Sequence, residues 1–194
     1  MTDESEIIQA LSSSIHAYNS YFQHILGTDN EGGWKKSNKD HHCFIPTHGV
    51  EGITRSLHYV RKLNDIDSCS PIKFLDCGCG IGNIMVIAHH LGFKPYGIEY
   101  EKENVELARK LLRNAIRPKQ VIHGDLMKYE NYKKYDVIYY YEPLKKNEKR
   151  RDFADKIAKD AKCGALVIPN GLWENGSPRK GWKRIKGLNA YKKL

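Results

Sequence analysis

The sequence predicts an α/β fold in which a mostly parallel, twisted sheet carries helices on both faces. From residue 72 onward, short runs rich in β-branched and aromatic residues alternate with amphipathic segments, an alternation typical of strand–helix–strand units. A cluster of glycines directly follows the first of these runs, where a chain turns from strand to helix. The predicted strands span residues 72–77, 95–100, 120–123, 135–141 and 164–169, and the predicted helices span 83–91, 102–115 and 148–161.

Composition and spacing support the individual elements. The run Tyr-Asp-Val-Ile-Tyr-Tyr-Tyr at 135–141 is rich in residues that favour strands. In the helix at 148–161, Phe153, Ile157 and Ala161 fall on one side, which is the periodicity of a helix that packs on a sheet.

Two amphipathic helices are predicted before the sheet. Residues 5–26 repeat apolar side chains three and four positions apart, and residues 48–63 do the same after the N-cap candidate Thr47. The polar, glycine-containing segment 27–46 is predicted to be a long loop. Since two helices cannot bury a core alone, we expect residues 1–70 to pack on the sheet or to cover its cleft.

The C-terminal tail predicts a basic β-hairpin. Residues 182–186 and 190–194 are expected to pair around the turn Gly187-Leu188-Asn189. We therefore predict a single domain over the whole chain. It has an N-terminal helical cap at 1–70, a central core at 71–170 and a short edge hairpin at 171–194.

Composition and charge restrict the class of protein. Hydrophobic residues make up 40% of the chain, which is enough to build a core. No apolar run reaches the ~18 residues of a membrane span and the start is acidic, so we expect a cytoplasmic protein without membrane contact. The net charge of +9 favours an acidic partner such as nucleic acid without requiring one. The five cysteines lack the spacing of a disulfide framework and predict reduced thiols.

The glycine cluster forms the pattern Asp-x-Gly-x-Gly-x-Gly from Asp76 to Gly82. A dinucleotide fingerprint, Gly-x-Gly-x-x-Gly from Gly78, would need glycine where Asn83 stands. Free N–H groups at the following helix start favour an electron-rich ligand, whereas an acid inside the loop repels pyrophosphate and attracts a cation. The loop therefore indicates a ligand such as S-adenosylmethionine, which carries an ammonium and a sulfonium.

Acidic residues also end the next two predicted strands. Glu99 and Tyr100 follow the second strand, and a carboxylate there can accept both hydroxyls of a ribose. Asp125 and Leu126 follow the third strand, where an acid can accept a hydrogen bond from an adenine amino group. Each acid alone is as well explained by a solvated strand end or a turn. Three such marks at successive strand ends favour a nucleoside-like ligand.

With these marks the region 72–170 resembles class I, Rossmann-like S-adenosylmethionine-dependent methyltransferases. The resemblance implies that the glycine loop lies against the methionine part, that Glu99 holds the ribose with Tyr100 beside the adenine, and that Asp125 reads the adenine. It also implies that residues 136–144 lie near the reacting methyl group. The expected cofactor-binding residues are Asp76, Gly78, Gly80, Gly82, Asn83, Glu99, Tyr100, Asp125 and Leu126.

The chain also departs from patterns within this family. Enzymes acting on exocyclic base or amide nitrogens often carry Asn/Asp-Pro-Pro-Tyr/Phe after the fourth strand, where residues 140–144 read Tyr-Tyr-Glu-Pro-Leu. This argues against a straightforward adenine or glutamine N-methyltransferase. The segment 126–134 is too short for the family's usual helix, and the helix after the fifth strand is reduced or missing at 171–181.

Tyr141 and Glu142 are the catalytic candidates, because the resemblance places them beside the methyl group, and a neutral acceptor must lose a proton. A packing aromatic and a surface acid before a proline turn are the alternatives. His41, His42 and His48 could form part of a lid, although ordinary loop histidines explain them as well. No metal site is predicted, since His41, His42 and Cys43 have no standard ligand spacing.

Two basic segments, 145–151 and 179–193, make nucleic acid a candidate partner. Trp182 and Tyr191 lie among the basic residues of the second segment and could stack on bases, but a solvated edge hairpin explains the same residues. Small molecule, protein and nucleic acid all stay open as acceptors. Two other readings are an aminopropyl transferase, which would need more acid than this chain has, and a non-catalytic module that binds S-adenosylmethionine.

Overall fold

The computed structural model describes residues 6, 9, 10, 13, 14, 50–63, 71–145, 147–170 and 179–194. The isolated positions near the start are helical and exposed, in keeping with the polar side of the helix predicted at 5–26. The predicted loop at 27–46, with His41, His42, Cys43 and His48, lies outside the described residues, as does most of the segment 171–181. Within the described ranges, no helix is long and apolar enough to cross a membrane.

The observed elements follow the predicted order with small shifts at their ends. The helices are α1 (Val50–Leu63), α2 (Asn83–His90), α3 (Lys102–Leu112) and α4 (Asn147–Asp160). The strands are β1 (Lys73–Cys77), β2 (Lys94–Glu99), β3 (Val121–His123), β4 (Val137–Tyr141), β5 (Leu166–Asn170), β6 (Trp182–Arg184) and β7 (Tyr191–Lys193). Short 3-10 turns occur at Pro118–Gln120 and Tyr132–Lys134.

The strands form one sheet in the order β3-β2-β1-β4-β5-β7-β6. Strands β1 to β5 are parallel, and the terminal hairpin adds β7 antiparallel to β5 and β6 antiparallel to β7. The predicted fold class is therefore confirmed. The chain order reverses between β1 and β4, and in open α/β sheets this reversal leaves a crevice at the carboxyl ends of the strands.

Both faces of the sheet are buried, which explains the nearly continuous apolar runs of the central strands. On one face, Leu75 and Ile138 pack with Phe153 of α4. On the other face, Phe74 and Tyr139 pack with α1 and α2, and the Phe74 and Tyr139 rings stack with centroids 6.4 Å apart. Alternation along β1 and β4 therefore assigns each residue of the crevice to a definite face.

A tyrosine cluster replaces the helix between β3 and β4, where only one 3-10 turn is present. The buried Tyr132 hydroxyl donates to the Leu126 carbonyl oxygen at 2.8 Å. The hydroxyls of Tyr129 and Tyr135 lie 2.6 Å apart, and Tyr96 contacts the Tyr135 ring edge-on at 5.4 Å. These large side chains cover the sheet edge with few residues, so the short connection predicted at 126–134 needs no helix.

The fourth strand begins two residues later than predicted, and Asp136, directly before it, lies at the amino edge of the sheet. Its carboxylate accepts hydrogen bonds from the Lys73 backbone N–H at 2.7 Å and from Lys162 Nζ at 2.5 Å. Asp136 thus stands at the opposite end of β4 from Tyr141. The expectation that all of 136–144 lies near the methyl group is therefore wrong for Asp136, and it stays a prediction for Tyr141 and the residues after the strand.

Gly97 in β2 allows α2 to lie close to the sheet. An ideal Cβ at this position would lie 2.5 Å from both the Cys79 and Met85 sulfur atoms. We predict that Gly97→Ala overpacks this contact and lowers the free energy of unfolding by about 1–3 kcal/mol in urea denaturation. The matched variant is Gly124→Ala, where the nearest atom to a Cβ lies 3.7 Å away, and it should change stability much less. Equal effects of the two variants would contradict this packing account.

Candidate functional site

The glycine loop between β1 and α2 is held against β2. Gly78, Gly80 and Gly82 all have positive φ, at 84°, 53° and 90°. The N–H groups of Gly78 and Cys79 both donate to the Ile98 carbonyl oxygen, at 2.8 and 3.0 Å. A side chain at Gly78 would be strained by this backbone conformation. The loop therefore has one conformation, and its backbone forms one wall of the crevice.

Glu99 fastens the same loop from the end of β2. Its Oε2 accepts a hydrogen bond from the Gly80 N–H and its Oε1 accepts one from the Glu101 N–H, both at 2.9 Å. The side chain is buried. A carboxylate offers about four acceptor positions, so each oxygen keeps the capacity for a further hydrogen bond. The sequence-predicted contact with a ribose diol therefore fits this group.

Asp76 is a buried carboxyl group with an acid as its neighbour. Burial, and secondly the charge of Glu99, raise the pKa of Asp76 to about 8. Within the described part of the chain, no hydrogen-bond donor reaches its carboxylate. Burial and the nearby acids also raise the pKa values of the Cys77 and Cys79 thiols. A cation at this position would relieve the cost of ionising Asp76, which fits the ammonium or sulfonium of the expected cofactor.

The end of β3 supports both interpretations of Asp125. Its Oδ1 accepts a hydrogen bond from the Met127 N–H at 2.8 Å, which makes it a turn residue. The side chain is only half-buried, so a ligand could also reach it. Tyr100 is exposed next to it, and its carbonyl oxygen lies 2.9 Å from His123 Nε2. Leu126 is buried under the tyrosine cluster.

The segment after β4 meets the glycine loop. Glu142 has the positive φ of 34°, the only such non-glycine residue in the described ranges. Its carboxylate pairs with Arg150 Nη1 at 3.3 Å, and Arg150 Nε donates to the Leu144 carbonyl oxygen at 2.5 Å. Between them, Pro143 lies so close to Gly78 that an ideal Cβ there would be 3.0 Å from the proline Cβ.

The structure therefore brings the predicted residues to one edge of the sheet. The glycine loop and the buried Asn83 at the start of α2 lie beside Glu99, and Tyr141 is exposed at the end of β4. Arg150 was predicted only as part of a basic segment. Its contact with Glu142 could not be anticipated, since no local pattern marks an arginine that folds back from the next helix.

No cluster of three or more metal-ligating side chains occurs in the parts of the chain that are described.

Residues 75–168 match the sequence family described as a methyltransferase domain. This region is a methyltransferase domain. The resemblance to class I S-adenosylmethionine-dependent methyltransferases is thereby confirmed without a subfamily, and the cofactor that the domain implies is S-adenosylmethionine.

A curated relative and a solved structure are similar to this chain over different extents. The type II methyltransferase M.VspI from Vibrio sp. is 31% identical over 100 residues, which cover 46% of this chain and 24% of the relative. The chain thus spans about a quarter of this relative's length. The fold is also that of a proposed RNA methyltransferase from Pyrococcus horikoshii, with a TM-score of 0.52 and 19% identity over 90% of this chain and 74% of that one.

The contact between Gly78 and Pro143 in the methyltransferase domain is testable. We predict that Gly78→Ala weakens S-adenosylmethionine binding by at least about tenfold, because the loop must shift to admit the side chain. Gly164→Ala is the matched control, since Gly164 has a similar φ of 80° but nothing within 4 Å of a Cβ. Both variants introduce similar backbone strain. A difference in S-adenosylmethionine affinity measured by calorimetric titration would therefore come from the contact of Gly78 with Pro143. Similar affinities in the two variants would show that the contact does not shape the site.

Asp76 also predicts a pH-dependent stability. As the pH rises from about 4 to about 8, the unfolded chain loses the Asp76 proton while the folded chain keeps it, so the native protein loses stability. Asp76→Asn cannot ionise. We predict that the difference in free energy of unfolding between Asp76→Asn and the native protein shifts in favour of the variant by several kcal/mol between about pH 4 and about pH 8, since each unit of pKa difference between folded and unfolded states is about 1.4 kcal/mol. Urea denaturation at several pH values measures this difference.

The exposed Asp152 supplies the control as Asp152→Asn, which should show no such shift. A difference for Asp76→Asn that stays constant or falls as the pH rises would contradict the burial argument.

Proposed function

We propose that this chain binds S-adenosylmethionine at the carboxyl edge of its sheet and transfers the methyl group to an acceptor. The observation that carries this proposal is the buried pair of acids, Asp76 and Glu99, under a glycine loop of fixed conformation. Such a pair repels pyrophosphate and suits a ligand that combines a ribose with positive charge. Because the curated relative is matched over a quarter of its length, the activity of the whole protein is inferred from the domain.

Residues at the ends of successive strands would contact different parts of the cofactor. Asp76 and the loop Gly78–Gly82 would face the methionine part, with Asn83 at the start of α2. Glu99 would accept the ribose hydroxyls while it keeps its hydrogen bond to Gly80. Tyr100, Asp125 and Leu126 would border the adenine. Asp125 can accept hydrogen bonds from the turn and from the adenine at the same time, because the Met127 N–H uses only one of its two carboxylate oxygens.

The acceptor side lies at the end of β4. The cofactor supplies a methyl group on a good leaving group, so the protein mainly has to align the acceptor for in-line displacement. Tyr141 is exposed at this edge and Glu142 follows it in a strained conformation. We assign to these two residues the contact with the acceptor, and Arg150 positions Glu142 through their ion pair. Strain at such a residue is typical of functional sites.

The candidate acceptors are a small molecule, a protein and a nucleic acid. The predicted division into cap, core and hairpin and the predicted cytoplasmic location stay predictions.

The role of Glu99 gives a direct test. We predict that Glu99→Gln weakens binding of S-adenosylmethionine and S-adenosylhomocysteine by about tenfold to a hundredfold, since hydrogen bonds to a charged group contribute about 1.5–3 kcal/mol. Both ligands are titrated into the purified full chain by calorimetry. Glu106→Gln is the control, because Glu106 is exposed on α3, where it pairs with Lys102, and the variant removes the same charge.

Retained affinity in Glu99→Gln would remove Glu99 from the site. Loss of affinity in both variants would instead indicate an effect of charge alone and would contradict the assigned contact.

A further inference from the structure

The positive charge of this chain is concentrated at its C-terminal hairpin. Residues 179–194 contain seven lysines and arginines and no acid, against a net charge of +9 for the whole chain. This segment forms β6, β7 and the turn between them at the edge of the sheet. The positive side chains of such a segment repel one another, and a bound anion would reduce this repulsion.

Two of the seven basic residues are held against α4. Arg179 forms an ion pair with Asp155 of α4. Lys193 Nζ donates to the carbonyl oxygens of Lys159 and Ala161, at 2.9 and 2.7 Å, and so satisfies the end of α4. The other five have no ion pair within the described part of the chain, although Arg184 Nε donates to the Leu188 carbonyl oxygen at 3.4 Å. They are Lys180, Lys183, Arg184, Lys186 and Lys192.

Lys183 and Lys192 are directly opposite each other across the hairpin. Both are exposed, and like charges in this position are destabilising. The side chains alternate along the strands, and Ile185 and Ala190 pack into the core on the α1 face. The two lysines, each two positions away from one of these residues, therefore project from that same face. Lysines can protect a sheet edge from pairing with another chain, but that role requires lysine only on the edge strand β6. It does not explain a second lysine opposite the first on β7.

The turn of the hairpin lies close to the proposed acceptor site, whereas Lys183 and Lys192 are level with Leu166 and Val137, at the opposite end of β5 and β4. The Asn189 side chain donates to the Pro169 carbonyl oxygen at 2.5 Å, which ties the turn to the carboxyl end of β5. Tyr141 pairs with the neighbouring Asn170. Tyr139 packs on the α1 face, so Tyr141 has the same orientation as the two lysines. With strands about 4.8 Å apart, the turn stands roughly 10 Å from the end of β4.

The aromatic residues of the hairpin are not available for stacking. Trp182 and Tyr191 are buried in the core against α4, with 5% and 1% of their surface exposed. The expectation that they could stack on bases is therefore wrong. Among the described hairpin residues, Leu194 is the only large hydrophobic one that is exposed. The surface offers charge without the apolar contacts that a protein interface core or a membrane-bound segment uses.

We propose that the hairpin binds the phosphate backbone of a nucleic acid whose nucleotide reaches the acceptor site beside Tyr141. This inference rests on the proposed function for the identity of the acceptor, but the binding surface can be measured without it. Lys183 and Lys192 contact phosphates, and Lys186 in the turn extends the surface towards the site. Contacts to phosphate alone give binding that depends strongly on salt and little on sequence.

The test is fluorescence anisotropy with labelled single-stranded RNA, single-stranded DNA and duplexes of about 20 nucleotides, at salt concentrations between about 50 and about 200 mM. The full-length double variant Lys183→Gln/Lys192→Gln is compared with Lys110→Gln/Lys119→Gln. The control pair is exposed near β3, at the other end of the sheet, and removes the same charge. Thermal unfolding confirms that both variants fold.

We expect the hairpin variant to bind the preferred nucleic acid about tenfold more weakly and to lower the slope of log affinity against log salt by about 2, while the control changes little. Equal losses in the two variants, no binding by the native protein, or tighter binding to phosphatidylserine vesicles than to any nucleic acid would overturn the proposal. Calorimetry with S-adenosylmethionine on the same proteins separates the two claims. Nucleic-acid binding without cofactor binding would contradict the proposed function only, and cofactor binding without nucleic-acid binding would contradict the hairpin only.

Discussion

Two carboxyl groups, Asp76 and Glu99, are buried together where β1 and β2 end, and no cation balances them within the described residues. Ionising both acids in this buried position is costly, so Asp76 holds its proton, and a bound cation would favour its ionised form. The surrounding backbone is built around the pair. Gly80 donates to Glu99, and Gly97 leaves room for α2 to approach, so the loop stays in one conformation beside the acids.

The acceptor side depends on the same arrangement. Pro143 lies against Gly78, so the segment after β4 is placed by the loop that is expected to hold the cofactor. Arg150 fixes that segment from α4 by pairing with Glu142 and bonding to the Leu144 carbonyl. Cofactor loop and acceptor segment thus form one unit, in which a change on either side should be felt on the other.

Much of the core could be predicted because its signals are local. The run at 135–141 favours a strand by composition, and Asp76, Glu99 and Asp125 were found because parallel strands bring their carboxyl ends to one edge. The tyrosine cluster shows why the absence of a helix could be predicted from length, whereas the packing that replaces it could not. That packing depends on Tyr96 and Tyr135 meeting on the same face of the sheet although they are far apart in the sequence.

The remaining features depend on contacts distant in sequence. Asp136 belongs to the predicted strand by composition, but its bonds to Lys73 and Lys162 fix it at the amino edge. Trp182 is surrounded by basic residues in the sequence, yet the hairpin turns it towards α4 and into the core. The positive φ of Glu142 could not be predicted from local sequence, and its neighbours Pro143 and Arg150 make contacts with Gly78 and with Glu142 itself that are distant in sequence.

The most direct test of the account is calorimetric titration of S-adenosylmethionine into the native protein near pH 7, in two buffers of different ionisation enthalpy, with NAD as the control ligand. If Asp76 holds a proton until a cation arrives, S-adenosylmethionine should bind one site with release of a proton, and NAD should give no signal. Absence of S-adenosylmethionine binding, or binding of NAD at the same site, would contradict the claim that the buried acids select a cationic nucleoside.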